Sequence, residues 1–124
     1  MSAWVRGCAA TLALATGAAA YEVPSGQDVV LDQVLLDVVG AEDWVRFRFL
    51  APDMDPVSDD IAQDMLHLCD TVALPYMSDH ALTGDVIVVS LMDRPVPFGE
   101  TDPEALQVFE AFRRDGDVCG WDAF

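Results

Sequence analysis

Asp60, Asp64 and His67 recur at i, i+4 and i+7, a spacing that lines all three along one face of a helix. Two carboxylates and an imidazole in a row can hold a divalent metal, the chemistry of a small metal-dependent or hydrolytic enzyme. One helix supplies too few ligands for a closed site, so the row also reads as the solvated face opposite an apolar stripe. His80 follows Asp79 in a loop, where an imidazole can act as a general base. No G-x-S-x-G accompanies it, and neither Ser78 nor Ser90 stands in a recognisable nucleophile setting. The sequence therefore names no catalytic residue and no cofactor.

Asp53-Met54-Asp55 and Ser58-Asp59-Asp60 echo the opening of a calcium loop, without its sixth-position Gly and twelfth-position Glu. An acidic divalent-cation-binding protein is the alternative they suggest. Trp44, Arg46 and Arg48 alternate along one strand face and make the most concentrated cationic spot in the sequence. A guanidinium stacked on an indole can receive a carboxylate from a ligand or partner. The plainer role is pairing with nearby surface acids. Arg94-Pro95-Val96-Pro97-Phe98 reads as an extended loop that offers Phe98 as a second contact. Trp44, Arg46, Arg48, Arg94 and Phe98 are thus the candidate partner-binding residues.

Charge narrows the partners. The 124 residues hold 22 Asp and Glu against six Arg and no Lys, a formal net charge of -16. Nucleic acid and anionic membrane surfaces are held by clustered cations, so both are excluded as partners. A hydrophobic share of 52% excludes a disordered acidic tail and requires a packed core. The length allows one domain.

The first twenty residues read as a cleaved signal peptide. Arg6 precedes the apolar run Gly7 to Thr16, and Ala18-Ala19-Ala20 supplies a small-residue cleavage pattern after Ala20. The run is about half the roughly 20 apolar residues that a membrane span needs. Residues 21–124 would then form a single exported, periplasmic domain. Cys8 leaves with the leader, so Cys69 and Cys119 remain in an oxidising compartment. A structural disulfide is the favoured reading, worth about 4 kcal/mol for a loop of that length. Two separate thiols, one a nucleophile, are the rival.

The elements that must position these residues follow from periodicity. Val29 to Val39 and Trp44 to Leu50 form a hairpin, with Val45, Phe47 and Phe49 inward, Arg46 and Arg48 on a wet face, and Val34, Leu36 and Val38 sharing a face. Ser58 is the expected N-cap of a helix carrying Ile61, Met65, Leu68 and Val72 on its apolar stripe, and Pro75 its expected stop. Val86 to Met92 is a continuous apolar run suited to a central strand. For residues 103–114 helix and strand signals compete; a short helical turn, then a hairpin about Asp115-Gly116, is the expectation. The resulting fold is α+β: one main helix packed on an antiparallel sheet of about five strands, in the order β-β-α-β-β-β, with one disulfide.

The runs Trp44 to Phe49, Leu66 to Cys69, Asp85 to Pro95 and Cys119 to Phe124 resemble a family of short exported proteins of Rhodobacter- and Roseobacter-type alphaproteobacteria, a domain of unknown function. The resemblance implies periplasmic residence and a matched Cys69–Cys119 pair, and it implies no established activity. The sequence thus points first to a non-enzymatic binding or accessory domain with a periplasmic protein partner.

Overall fold

A computed structural model describes residues 20–122. The leader, apart from Ala20, lies outside the described residues. The elements run β1 (Ala20–Glu22), β2 (Asp28–Val39), β3 (Glu42–Leu50), α1 (Ile61–Leu68), a π-helical turn (Cys69–Ala73), α2 (Leu74–Asp79), β4 (Val86–Met92), β5 (Gln107–Asp115) and β6 (Val118–Trp121). The six strands form one sheet in sequence order. All neighbours are antiparallel except β3 and β4.

The α+β class holds, with two corrections. The sheet has six strands rather than about five, and it is mixed rather than antiparallel. The additional strand is β1, ahead of the first strand expected from periodicity, where Tyr21 pairs with Val29. The parallel pair follows from the connection: a helical crossover after β3 returns the backbone to the end where β3 began, so Trp44 faces Val86 and Leu50 faces Met92.

A β-bulge between Leu31 and Gln33 resets the alternation of β2. Before it the odd positions Val29 and Leu31 are buried; after it Val34 is. Leu36 and Val38 continue on that face but are 60% and 68% exposed at the end of the hairpin. The inner sheet face (Val45, Phe47, Phe49, Ile87, Val89, Leu91 and Phe112) packs on Met65, Leu68, Val72 and Met77 of the helical layer. On the outer face Val86, Val88 and Ala111 form a second small cluster with Trp44. With both its faces covered, β4 is the central strand that its apolar run requires.

The helix departs from expectation at both ends. Asp60, not Ser58, occupies the N-cap and makes no side-chain cap bond, while Ser58 Oγ accepts the Asp60 N–H at 3.1 Å, just ahead of the helix. Pro75 does not stop the helix. In an unbroken α-helix its ring would press on the carbonyl four residues back. The π-helical turn opens the spiral just ahead of it, and the Leu74 N–H reaches back to the Cys69 carbonyl. Within that turn Cys69 joins Cys119 of β6, with Cα atoms 6.1 Å apart. The Cys119 N–H also donates to Asp70 Oδ1 at 2.7 Å.

The tail follows the strand signal. Ala105 N–H donates to Asp102 O in a single turn, and β5 and β6 then form the hairpin, with Gly116 at φ +65.

Candidate functional site

The outer face of the sheet, opposite the helices, carries the cationic strand positions. Register sets the rows: Gln33, Arg48, Ser90 and Phe109 lie side by side across β2 to β5, and Leu35, Arg46, Val88 and Ala111 form the adjacent row. The segment after β4 folds back over this face. Asp93 anchors it, donating its N–H to Leu106 O at 3.0 Å and accepting the Leu106 N–H on Oδ1 at 2.9 Å. Gly99, at φ +86, takes a backbone turn that a side chain would strain.

That fold-back brings together two features that are separate in the sequence. The Arg46 guanidinium lies 5.1 Å from the Trp44 ring and 5.1 Å from the Phe98 ring, and that of Arg48 lies 5.6 Å from Phe98. Both distances from Phe98 fall within cation–π range. Arg46 also donates from Nε and Nη2 to Asp37 Oδ2, at 3.3 and 3.1 Å.

Arg48 differs from the expected wet-face residue: it is 6% exposed. Nη1 donates to Gln33 Oε1 at 2.6 Å, and Nη2 to the Val96 carbonyl at 2.7 Å and to Met92 Sδ at 3.6 Å. All three acceptors are neutral. Among the described residues no carboxylate oxygen lies within 4.0 Å of it, whereas Arg46, Arg94 and Arg113 each have at least one. Burial pushes the Arg48 guanidinium below its usual pKa; Asp32 opposes that shift, and the like charge of Arg46 adds to it.

Arg46, Arg48, Ser90, Phe98, Gln107 and Phe109 line a cleft of about 190 Å³ on this face. Phe98 and Phe109 are 50% and 62% exposed. Arg94 is not among the lining residues. It pairs with Asp93 at 3.1 Å, which holds the Asp93 carboxyl below the usual range and raises the Arg94 pKa. Arg94 is thus a clasp of the loop, and Phe98 is its contact.

Of the other candidate residues, Asp53, Asp55, Ser58, Asp60 and Asp64 line one pocket of about 240 Å³, whereas His67 and His80 are not part of its lining. Asp64 is fully buried and accepts the Ser25 N–H at 2.9 Å, the Ser25 hydroxyl at 2.5 Å and Gln27 Nε2 at 3.0 Å. It ties the segment between β1 and β2 to α1, and so does not belong to a solvated row with Asp60 and His67. Among the described residues no group of three or more His, Cys, Asp or Glu is arranged to hold a metal ion. His80 stacks on Tyr76 at 4.0 Å, its Nδ1 2.9 Å from the Tyr76 carbonyl. Thirteen residues of helical path put it roughly 20 Å from His67.

Gln33, Ser90 and Phe109 are site residues that the sequence did not single out. The signal for Ser90 was available: one hydroxyl interrupts the apolar run of β4. Gln33 was hidden by the bulge, and Phe109 by the competing helical stripe.

Among the described residues no helix is long and apolar enough to cross a membrane. No curated protein and no solved structure matches the sequence. A model of a family of unknown function (DUF6497) matches residues 7–124, and the protein belongs to that family.

Proposed function

We propose that this DUF6497 protein is an exported, periplasmic, non-catalytic binding domain that meets a protein partner through the outer sheet face of Trp44, Arg46, Arg48 and Phe98. The observation that supports the reading is Arg48, a buried cation that has no carboxylate oxygen within 4.0 Å among the described residues, with Asp32 acting on it only from farther away, in a protein of net charge -16. Such a group destabilises the folded state unless something compensates it, and here it lies under a half-exposed aromatic ring beside a cleft. Trp, Arg and exposed aromatic side chains are the types that dominate contact surfaces.

The leader pattern, the Cys69–Cys119 disulfide and the likeness to exported alphaproteobacterial proteins support the periplasm as its site. The hydrolytic and cation-binding readings have less behind them. Asp64 is engaged by Ser25 and Gln27, and neither His67 nor His80 lines the pocket that Asp53, Asp55, Asp60 and Asp64 share.

The test is recovery of the protein from its own periplasm with and without Arg46→Glu. The Arg46 side chain is 18% exposed and faces Asp37, so an unfolding midpoint checks that the variant folds, and loss of a specific co-purifying partner from the folded variant is the expected result. Unchanged recovery counts against this face. Intact mass of the same sample checks cleavage after Ala20 and the two-hydrogen deficit of the disulfide.

A further inference from the structure

We propose that the cleft over Arg46 and Arg48 binds a monocarboxylate carried on an apolar body about the size of one side chain. This rests on the outer face being the binding face, and it names the group received there.

Four observations converge on that chemistry. First, the Arg48 hydrogen bonds engage only Nη1 and Nη2, so its Nε–H and one Nη1–H have no acceptor among the described residues. A planar guanidinium with open N–H groups matches a carboxylate, and the low-dielectric surroundings strengthen the pairing. Ser90, on the same floor, adds a hydroxyl.

Second, the charge around the site disfavours a dianion. Asp37 already pairs with Arg46, and Glu100 lines the same cleft. A dianion such as phosphate would meet Glu100 as well as the guanidinium groups. Third, the walls are apolar: Phe98 and Phe109 stand half-exposed or more, with Met92 and Pro97 between the polar groups. Fourth, about 190 Å³ is below the roughly 300–1,000 Å³ of sites for drug-sized ligands. It holds one residue-sized group and not a folded surface.

A polypeptide C-terminus with an apolar last residue and a free small acid share this chemistry. The experiment is an NMR titration of the disulfide-bonded domain with N-acetyl-leucine, N-acetyl-leucinamide and inorganic phosphate. Pentapeptides ending in leucine, as free acid and as amide, are added as separate arms. N-acetyl-leucine is expected to shift the Ser90, Phe98 and Phe109 resonances, with the amide and phosphate at least about tenfold weaker. Arg48→Gln should weaken the acid about tenfold or more. Phe98→Ala, a change at a half-exposed position with the fold checked by its amide spectrum, should weaken it several-fold.

A free-acid peptide that binds more tightly than N-acetyl-leucine assigns the ligand to a polypeptide end; equal or weaker binding assigns it to a small acid. Equal binding of acid and amide, tighter binding of phosphate, or no shifts at the cleft overturns the proposal. If the acid fails while Arg46→Glu still abolishes partner recovery, the face stands and the carboxylate falls. If both fail, the face itself is wrong.

Discussion

Two acids of the same formal type do opposite work in this protein. Asp64 is buried and accepts three hydrogen bonds from Ser25 and Gln27. Truncation leaves those donors without an acceptor, and each buried donor left unsatisfied costs about 1–3 kcal/mol, without adding fully. Asp64→Ala should therefore cost about 3 kcal/mol, read as a lower urea midpoint at unchanged slope. Asp93, by contrast, is partly buried in a surface loop and is held below its ordinary pKa of 3.8, first by the Arg94 side chain and then by the Leu106 N–H. A depressed carboxyl stabilises the fold above its unfolded-state pKa, and that contribution is lost as pH falls through the folded value. Stability should drop on acidification below about pH 4, and Asp93→Asn should flatten that limb of the curve. An equally steep limb in the variant would show that other carboxyls set it. Arg48 completes the residue scale: strand alternation placed it opposite the core, yet the 93–100 segment buries it, a tertiary effect that no local pattern carries.

Elements were legible where one local signal ruled, and obscured where a neighbour overrode it. The β2–β3 hairpin, the apolar stripe of the helix, the central β4 and the Asp115-Gly116 turn all follow from periodicity and turn chemistry. Pro75 misled because the π-helical turn ahead of it relieves the clash that normally ends a helix. The sheet direction between β3 and β4 was inferable, since a helical crossover makes a parallel pair; the hairpin reading of the flanking strands masked it. Neither the bulge after Leu31 nor β1 leaves a clear mark in the residues. At the candidate site, Trp44, Arg46, Arg48 and Phe98 were visible as types, whereas their convergence depends on how the loop after β4 folds back. The entry to β4 carries a close approach of its own. A Cβ on Gly84 would stand 2.7 Å from Val45 Cγ2 and 3.3 Å from the Asp43 carbonyl. Gly84→Ala must push the two strands apart where Asp43 and Asp85 exchange hydrogen bonds, at about 1–3 kcal/mol. A thermal midpoint equal to that of the parent would refute this packing.

At the scale of the whole molecule, like charge opposes compaction and covalent and ionic links oppose the charge. The disulfide closes a separation of 50 residues between the helical layer and β6. Arg113 on β5 pairs with Glu42 at 2.9 Å and Asp122 at 2.8 Å, and both partners raise its pKa. Replacing both cysteines by serine should cost about 4 kcal/mol in equilibrium unfolding, and a loss under about 1 kcal/mol would show that the helix–sheet core holds β6 unaided. On the proposed function, the outer sheet face is the surface this DUF6497 protein presents to a partner. The most direct test is photocrosslinking in the native periplasm from a benzoylphenylalanine at position 98, with the probe at the 84% exposed position 57 as control. A partner seated on this face gives a discrete adduct from position 98 that disappears with Arg46→Glu and is absent from position 57. No adduct at 98, or the same adduct from both positions, would contradict it.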